Sequence, residues 1–247
     1  MNETLDAISG LGLVLRQKRA GHRVGLDAVL LAASARPAGG RIVDVGAGVG
    51  SVGLALARRS PQALVDLVEI DEEIAALASE NARTNGLVER IRVLAVDVMS
   101  APLRRAAGLI DGAASLVVTN PPFYSPGETR VSPDAARARA HALVEGSDTL
   151  SAWLTASLAL LAPGGCFAMI HRPEALPAIY SGIGRRLGDI AVLPVFPREG
   201  EDAIRVIVTG VKGSRAPARL RPGLVLHQPD GQATARAQAL HEGRETL

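Results

Sequence analysis

From about residue 41 onward, short β-type runs alternate with helical stretches, and this alternation leaves few architectures open to the chain. Arg41-Ile42-Val43-Asp44-Val45 reads as a first buried strand ending at a glycine-rich turn, and 51–59 as the helix it feeds. A second strand over 64–70 leads to a helix over 72–84, stopped by Asn85-Gly86. Strands follow over 91–96 and 116–119. Next come a helix over 147–161, capped by Ser147 or Asp148 and closed by Pro163-Gly164-Gly165, a fifth strand over 166–170 and a helix over 173–187. The last strands, 190–196 and 203–211, are separated by too few residues for a crossover helix, so they should pair antiparallel. The prediction is an α/β fold: a Rossmann-like, doubly wound, seven-stranded, mostly parallel sheet with a C-terminal antiparallel hairpin.

The core domain is expected over 41–211. Before it, 1–40 reads as a strand/helix extension packed on the core: a strand over 11–17, a turn at Ala20-Gly21 and a helix over 27–35 with Asp27 as cap. After it, 212–247 is a basic extension in which Lys212, Arg215, Arg219 and Arg221 precede the apolar run Leu224-Val225-Leu226. Residues 125–146 show no assignable element. With 247 residues and 47% hydrophobic content, one sizeable core is affordable. No window is apolar for a membrane span, and the first six residues lack the basic start of a secretory signal. The expectation is a cytoplasmic protein with no membrane partner. The single cysteine, Cys166, sits in an apolar run and reads as a small core residue. His141 and His171 lack metal-ligand spacing, so no metal is expected. No oligomeric partner is indicated. A formal charge of +2 does not by itself imply nucleic acid.

Two motifs carry chemistry. In Asp44-Val45-Gly46-Ala47-Gly48-Val49-Gly50 the glycines let a backbone approach a ligand closely, and the helix that follows offers unpaired N–H groups. Gly48, Gly50 and Gly53 also match a dinucleotide fingerprint, a weak signal alone. Asp44 can meet a cationic ligand end. Glu69 ends the second strand, where a carboxylate chelates two ribose hydroxyls. Asp97 ends the third strand and can accept from an adenine amino group while Val98 or Met99 packs on the ring. Asp71 is either a helix cap or a second ribose partner. The other motif is Asn120-Pro121-Pro122-Phe123, directly after a strand. Its prolines remove two backbone donors and stiffen the turn, so the Asn amide and nearby carbonyls converge beside an aromatic ring. That is a grip for a planar group carrying NH2. Tyr124 follows in a chain with only 2% aromatics, which makes the pair informative. Trp153, on an apolar helix, reads as core.

In order, the Asp44 to Gly50 loop, Glu69, Asp97, Asn120-Pro121-Pro122-Phe123, Leu161-Ala162-Pro163-Gly164-Gly165 and the terminal hairpin resemble the class I S-adenosylmethionine-dependent methyltransferases. Gly21-His22-Arg23-Val24-Gly25-Leu26-Asp27-Ala28-Val29-Leu30-Leu31-Ala32, the compact length, and Arg205-Val206-Ile207-Val208 with Lys212-Gly213 and Leu224-Val225-Leu226-His227 narrow the resemblance. The narrower family is that of the bacterial tRNA (adenine-N6) methyltransferases acting beside the anticodon, at position 37 of a valine tRNA. His22 stands where many relatives carry an aromatic, and Phe123 where many carry Tyr; the second change keeps a stacking ring.

The resemblance implies S-adenosylmethionine as cofactor, bound by Asp44, Gly46, Gly48, Gly50, Glu69, Asp97, Val98 and Asn120. It implies catalysis by Asn120, Pro121, Pro122 and Phe123. The Asn120 oxygen and the Pro121 carbonyl would accept both amino hydrogens, and Phe123 would stack on the extruded base. Rate would come from positioning rather than a strong base. With tRNA as the implied partner, Tyr124, Arg23, Asp27, Arg137, Arg139, Arg198, Lys212 and Arg215 form the expected contact set, with Asp27 equally readable as a plain helix cap. Arg130, Arg219 and Arg221 are further cations for the same phosphates. The alternatives are a guanine-N2 rRNA methyltransferase, a protein glutamine-N5 methyltransferase and, from another class, a dinucleotide-dependent oxidoreductase. The last gives no role to Asn120-Pro121-Pro122-Phe123.

Overall fold

A computed structural model describes residues 3–19, 23–36, 39–121 and 147–247. In chain order the elements are β1 (Glu3–Ile8), β2 (Leu13–Lys18), α1 (Leu26–Ser34), β3 (Gly40–Val45), α2 (Ser51–Arg59), β4 (Ala63–Glu69), α3 (Glu72–Thr84) and β5 (Ile91–Ala95). They continue with α4 (Ala101–Ala106), β6 (Ala114–Thr119), α5 (Ser147–Leu160), β7 (Leu161–His171), α6 (Leu176–Ile183), β8 (Leu187–Arg198), β9 (Arg205–Lys212), β10 (Arg219–Leu220), β11 (Leu224–His227) and α7 (Ala235–His241).

The main sheet runs β5-β4-β3-β6-β7-β9-β8. Its strands are parallel except β9, which is antiparallel to both β7 and β8. The expected doubly wound sheet and terminal hairpin are therefore present. The strand count differs. β10 and β11 add in parallel to the outer edge of β8, giving nine described strands in this sheet rather than seven. Strands of two and four residues are too short to show a period-2 pattern.

Parallel strands covered on both faces read as continuous apolar runs, and the central ones do. Ile42, Val65, Leu67, Leu116 and Val118 pack with Leu30, Leu31, Leu54, Leu56 and Ala78 from α1, α2 and α3. Val43, Val45, Val68 and Val117 pack with Leu154, Leu158, Ile179 and Ile183 from α5 and α6 on the opposite face. One polar residue interrupts β4. Asp66, 1% exposed, accepts bidentately from both Arg41 and Arg92 on its two neighbouring strands, at 2.8–3.0 Å. The two guanidinium groups compensate its buried charge.

Several local expectations are corrected. Asp27 does not cap α1: Gly25 is the cap and makes no side-chain bond. Asp71 does cap α3, its carboxylate accepting from Glu73 N and Ile74 N. The stretch expected as one helix over 173–187 begins as a 3-10 turn, Pro173–Ala175, and α6 ends at Gly184, whose φ is 54°. Pro163-Gly164-Gly165 lies inside β7 instead of after α5. β1, α4 and α7 were not expected from the pattern; α4 has only six residues. The side chains of Ser147 and Asp148 lie outside the described residues.

The β1–β2 hairpin is separate from the main sheet and docks on α3 through two carboxamides. Asn81 pairs with Arg16 N and O at 2.7 and 3.0 Å, and Asn85 with Val14 N and O at 3.1 and 2.8 Å. Each amide thus stands in for a neighbouring strand. Among the described residues no helix is long and apolar enough to cross a membrane.

Candidate functional site

Parallel pairing puts the C-terminal ends of β3, β4, β5 and β6 on one edge. Register sets Val45 beside both Val68 and Thr119, and Glu69 beside Ala95. Gly46, Glu69, Asp97 and Asn120 therefore meet along this edge, although 74 residues separate the first from the last. Strand order reverses between β3 and β6, the switch point at which open α/β sheets bind ligands.

The glycine loop is held from three sides. Gly46 N and Ala47 N both donate to Val68 O, at 2.9 and 3.0 Å. Asn81, fully buried, donates to Val49 O at 3.0 Å. Glu69 Oε2 accepts from Gly48 N at 2.9 Å. Gly46 has a φ of 70°, and a β-carbon there would lie 3.0 Å from the Trp153 ring. Gly48 has a φ of 56°, and a β-carbon there would meet no described atom within 4 Å. The open side of the loop is thus at Gly48, where a ligand can approach bare backbone.

Three carboxylates line the edge. Asp44, 2% exposed, accepts from Gly53 N at 2.8 Å; burial, with a smaller push from Glu69, raises its pKa to about 7. Glu69 is raised mainly by burial, against N–H bonds from Asp71, Gly48 and Ile70 that favour its charge. Asp97 Oδ1 accepts from Met99 N at 2.8 Å and so shapes the turn that presents Val98. Behind that turn, Arg104, 4% exposed, donates to Val98 O at 2.5 Å and reaches Asp111 at 3.4 Å.

Asn120 follows the last residue of β6. Its Oδ1 is buried and has no hydrogen-bond partner among the described residues. Pro121 is buried beside it. Pro122, Phe123, Tyr124, Arg130, Arg137, Arg139 and His141 lie outside the described residues. Below the turn, Thr119 Oγ1 donates to Val45 O at 2.8 Å and accepts from the Trp153 indole at 3.0 Å. Trp153 is half-buried at this edge and packs against the core, as expected, while its indole N–H serves the turn. His171 ends β7 on the same edge; burial lowers its pKa to about 4, so it is neutral at pH 7.

Several of the expected tRNA-contacting residues that are described have partners within the protein. Arg23 pairs with Asp6 at 2.9 Å, Arg198 with Glu201 at 3.1 Å, and Arg215 is exposed. Asp27 takes Arg205 Nε on both oxygens at 3.0 Å. The Lys212 ammonium donates to Leu158 O at 3.0 Å and Leu161 O at 2.6 Å, with Ala159 O at 3.5 Å. It ties the end of α5 to the start of β7, a structural task at a residue expected to contact phosphate. Sequence reasoning missed Asn81, Arg104, Thr119 and Trp153. Only Trp153 carried a signal, as the single tryptophan of an aromatic-poor chain.

This edge brings together an open glycine backbone, a carboxylate at the end of the second strand of the parallel set and a buried amide oxygen with no partner among the described residues. The family model described as Methyltransferase small domain matches residues 25–170. The chain belongs to the methyltransferase small domain family. The narrower resemblance drawn from the motifs holds as well. A protein of Porphyromonas gingivalis (strain ATCC 33277) named tRNA1(Val) (adenine(37)-N6)-methyltransferase is 34% identical over 183 residues, 70% of this chain and 69% of that protein. An Aeromonas hydrophila protein of the same name is 32% identical over 218 residues, 86% of each. An Enterobacter sp. (strain 638) relative, again so named, is 37% identical over 155 residues, but the match spans only 59% of its length. Among solved structures, a protein of Agrobacterium tumefaciens described as a predicted O-methyltransferase superposes with a TM-score of 0.74 at 32% identity, covering 90% of this chain and 98% of that one. The cofactor of this methyltransferase fold is S-adenosylmethionine, and the residues present fit it. The bare backbone at Gly48 leaves room for it, with no described atom within 4 Å of where a β-carbon would stand.

Proposed function

We propose that this chain methylates the N6 amino nitrogen of an adenine in tRNA, beside the anticodon at position 37 of a valine tRNA. The observation that carries the reading is the buried Asn120 Oδ1, which has no hydrogen-bond partner among the described residues and sits next to the glycine loop. A buried amide oxygen without a donor costs free energy, and an amino hydrogen of the acceptor base supplies that donor. The names of the relatives give the base and the tRNA.

Bound S-adenosylmethionine supplies an electrophilic methyl group on a sulfonium. Glu69 holds the ribose hydroxyls, Asp97 accepts from the adenine amino group of the cofactor, and Val98 packs on its ring. Asp44 sits under Gly46, Gly48 and Gly50 near the amino-acid end. Asn120 Oδ1 and the Pro121 carbonyl accept the two hydrogens of the acceptor amine and turn its lone pair out of the ring. Pro122 stiffens this turn, and Phe123 stacks on the extruded base with Tyr124 beside it. The surplus proton leaves after the methyl arrives, so no strong base is needed. Arg23, Arg137, Arg139, Arg198 and Arg215 meet tRNA phosphates, while Asp27 orients Arg205 at the rim. The setting is cytoplasmic.

The Agrobacterium protein raises oxygen methylation as a second reading. A hydroxyl brings one hydrogen and would leave one of the two acceptors at Asn120-Pro121 unmet. The test is methyl transfer to total tRNA lacking the modification, read by nucleoside mass spectrometry. N6-methyladenosine with wild type and none with Asn120→Ala, whose S-adenosylhomocysteine affinity stays within about threefold, is the expected result. Methylguanosine, or no modified nucleoside, would point to rRNA guanine or protein glutamine.

A further inference from the structure

We propose that Trp153 is a positioning residue that ties the glycine loop to the Asn120-Pro121 turn, an inference that rests on the methyl-transfer reading above. One side chain touches both halves of the site. The indole Nε1–H donates to Thr119 Oγ1 at 3.0 Å, and that hydroxyl donates to Val45 O at 2.8 Å. Thr119 is fully buried and immediately precedes Asn120; Val45 immediately precedes Gly46. The far edge of the same indole lies 3.0–3.1 Å from where a β-carbon on Gly46 would sit.

Geometry makes this tie necessary. Val45 and Thr119 face each other in register at the last rung of the β3–β6 ladder. Beyond it both chains leave the sheet, and regular strand pairing no longer fixes their separation. The indole, the Thr119 hydroxyl and the Val45 carbonyl form a chain of bonds at that last rung, and the indole ring continues past it to Gly46. It sets the distance between the backbone that meets the cofactor and the amide that meets the acceptor nitrogen. Methyl transfer depends steeply on that distance.

The parts can be separated by substitution. Trp153→Phe keeps an aromatic ring at the position and loses the N–H. Thr119→Val loses the hydroxyl and keeps the shape, and Thr119→Ser restores it. Trp153→Leu loses the N–H and the ring together. The expected result is a kcat lowered about tenfold or more in Trp153→Phe and Thr119→Val, with S-adenosylhomocysteine affinity within about threefold of wild type and near-normal kcat in Thr119→Ser. Trp153→Leu lowers both kcat and cofactor affinity. The double variant Trp153→Phe/Thr119→Val is no worse than the poorer single one, because both break the same chain. A tryptophan that serves stability alone would lower the melting temperature and leave kcat intact below it. That outcome, or additive losses in the double variant, overturns the proposal. If wild type methylates no tRNA adenine, the functional reading fails on its own. The tie is then judged by S-adenosylhomocysteine affinity, which must fall with Trp153→Leu and hold with Trp153→Phe; equal affinities overturn it.

Discussion

The Glu69 carboxylate accepts the Gly48 N–H at 2.9 Å, joining the end of β4 to the open point of the glycine loop after β3. Its other oxygen accepts from Ile70 N and Asp71 N at 2.8 and 3.0 Å. A carboxylate offers about four acceptor positions, so three N–H groups leave little spare capacity. Glu69 shapes the loop with these bonds, and in the proposed mechanism the capacity that remains receives ribose. Glu69→Ala should lose both and weaken S-adenosylhomocysteine binding by about 100-fold, on the order of 3 kcal/mol. Calorimetric titration measures this. A loss below about threefold would show that the loop holds its shape without Glu69.

Gly48 and Gly53 should fail in different ways when changed to alanine. At Gly48 the new methyl meets no described atom within 4 Å but forces alanine to a φ of 56°. That costs about 1–2 kcal/mol and places a methyl where the ligand approaches. At Gly53 the methyl would lie 2.2 Å from Leu67 Cδ2 and 3.2 Å from Asp44 Oδ2. Overpacking of this kind costs about 1–3 kcal/mol, and each kcal/mol lowers Tm by about 2–4 °C in a chain of this size. Paired melting and cofactor titrations should show Gly48→Ala binding worse for its Tm than Gly53→Ala. Identical profiles would remove the distinction.

The elements that sequence reveals are those whose pattern is imposed by burial. β3, β4 and β6 are covered on both faces, so Ile42-Val43, Leu67-Val68 and Leu116-Val117-Val118 leave apolar runs, interrupted in β3 and β4 by the buried Asp44 and Asp66. The loop glycines and Asn120 were legible because ligand approach demands particular residues at a strand end. Arg104 was not, because a buried arginine and a solvated one are the same letter. It becomes visible only when the turn carrying Val98 folds over it. Lys212 misled for the same reason: its charge suggested phosphate, while the fold supplies the carbonyls at the end of α5.

Lys212→Met should accordingly act on stability and leave RNA affinity alone. The ammonium satisfies the carbonyls of Leu158 and Leu161, and burial lowers its pKa. Removing it leaves those acceptors short of a donor, at about 1–3 kcal/mol. Thermal melts should show the loss, while the salt dependence of tRNA binding keeps its slope. A slope reduced by about one unit would restore the phosphate contact.

Asp44 gives the fold a pH dependence of predictable sign. Its pKa is raised from 3.8 to about 7, first by burial, so the folded chain binds a proton that the unfolded chain releases. The associated stability is fully present below about pH 4 and is lost as pH rises to about 7. Asp44→Asn can still accept from Gly53 N through its amide oxygen, and it has no proton to lose. Relative to wild type, the Asn variant should therefore gain as pH climbs from 4 to 8, by on the order of 4 kcal/mol at most. His171 acts in the opposite sense: its pKa, depressed to about 4, makes the fold lose stability as pH falls below 6.5. Because His171 is present in both proteins, it cancels in the difference. Urea unfolding of the two proteins at pH 4.5, 6 and 8 measures the gap. A gap that stays flat, or closes with rising pH, would mean that Asp44 is ionised in the folded chain throughout and held by the loop N–H alone.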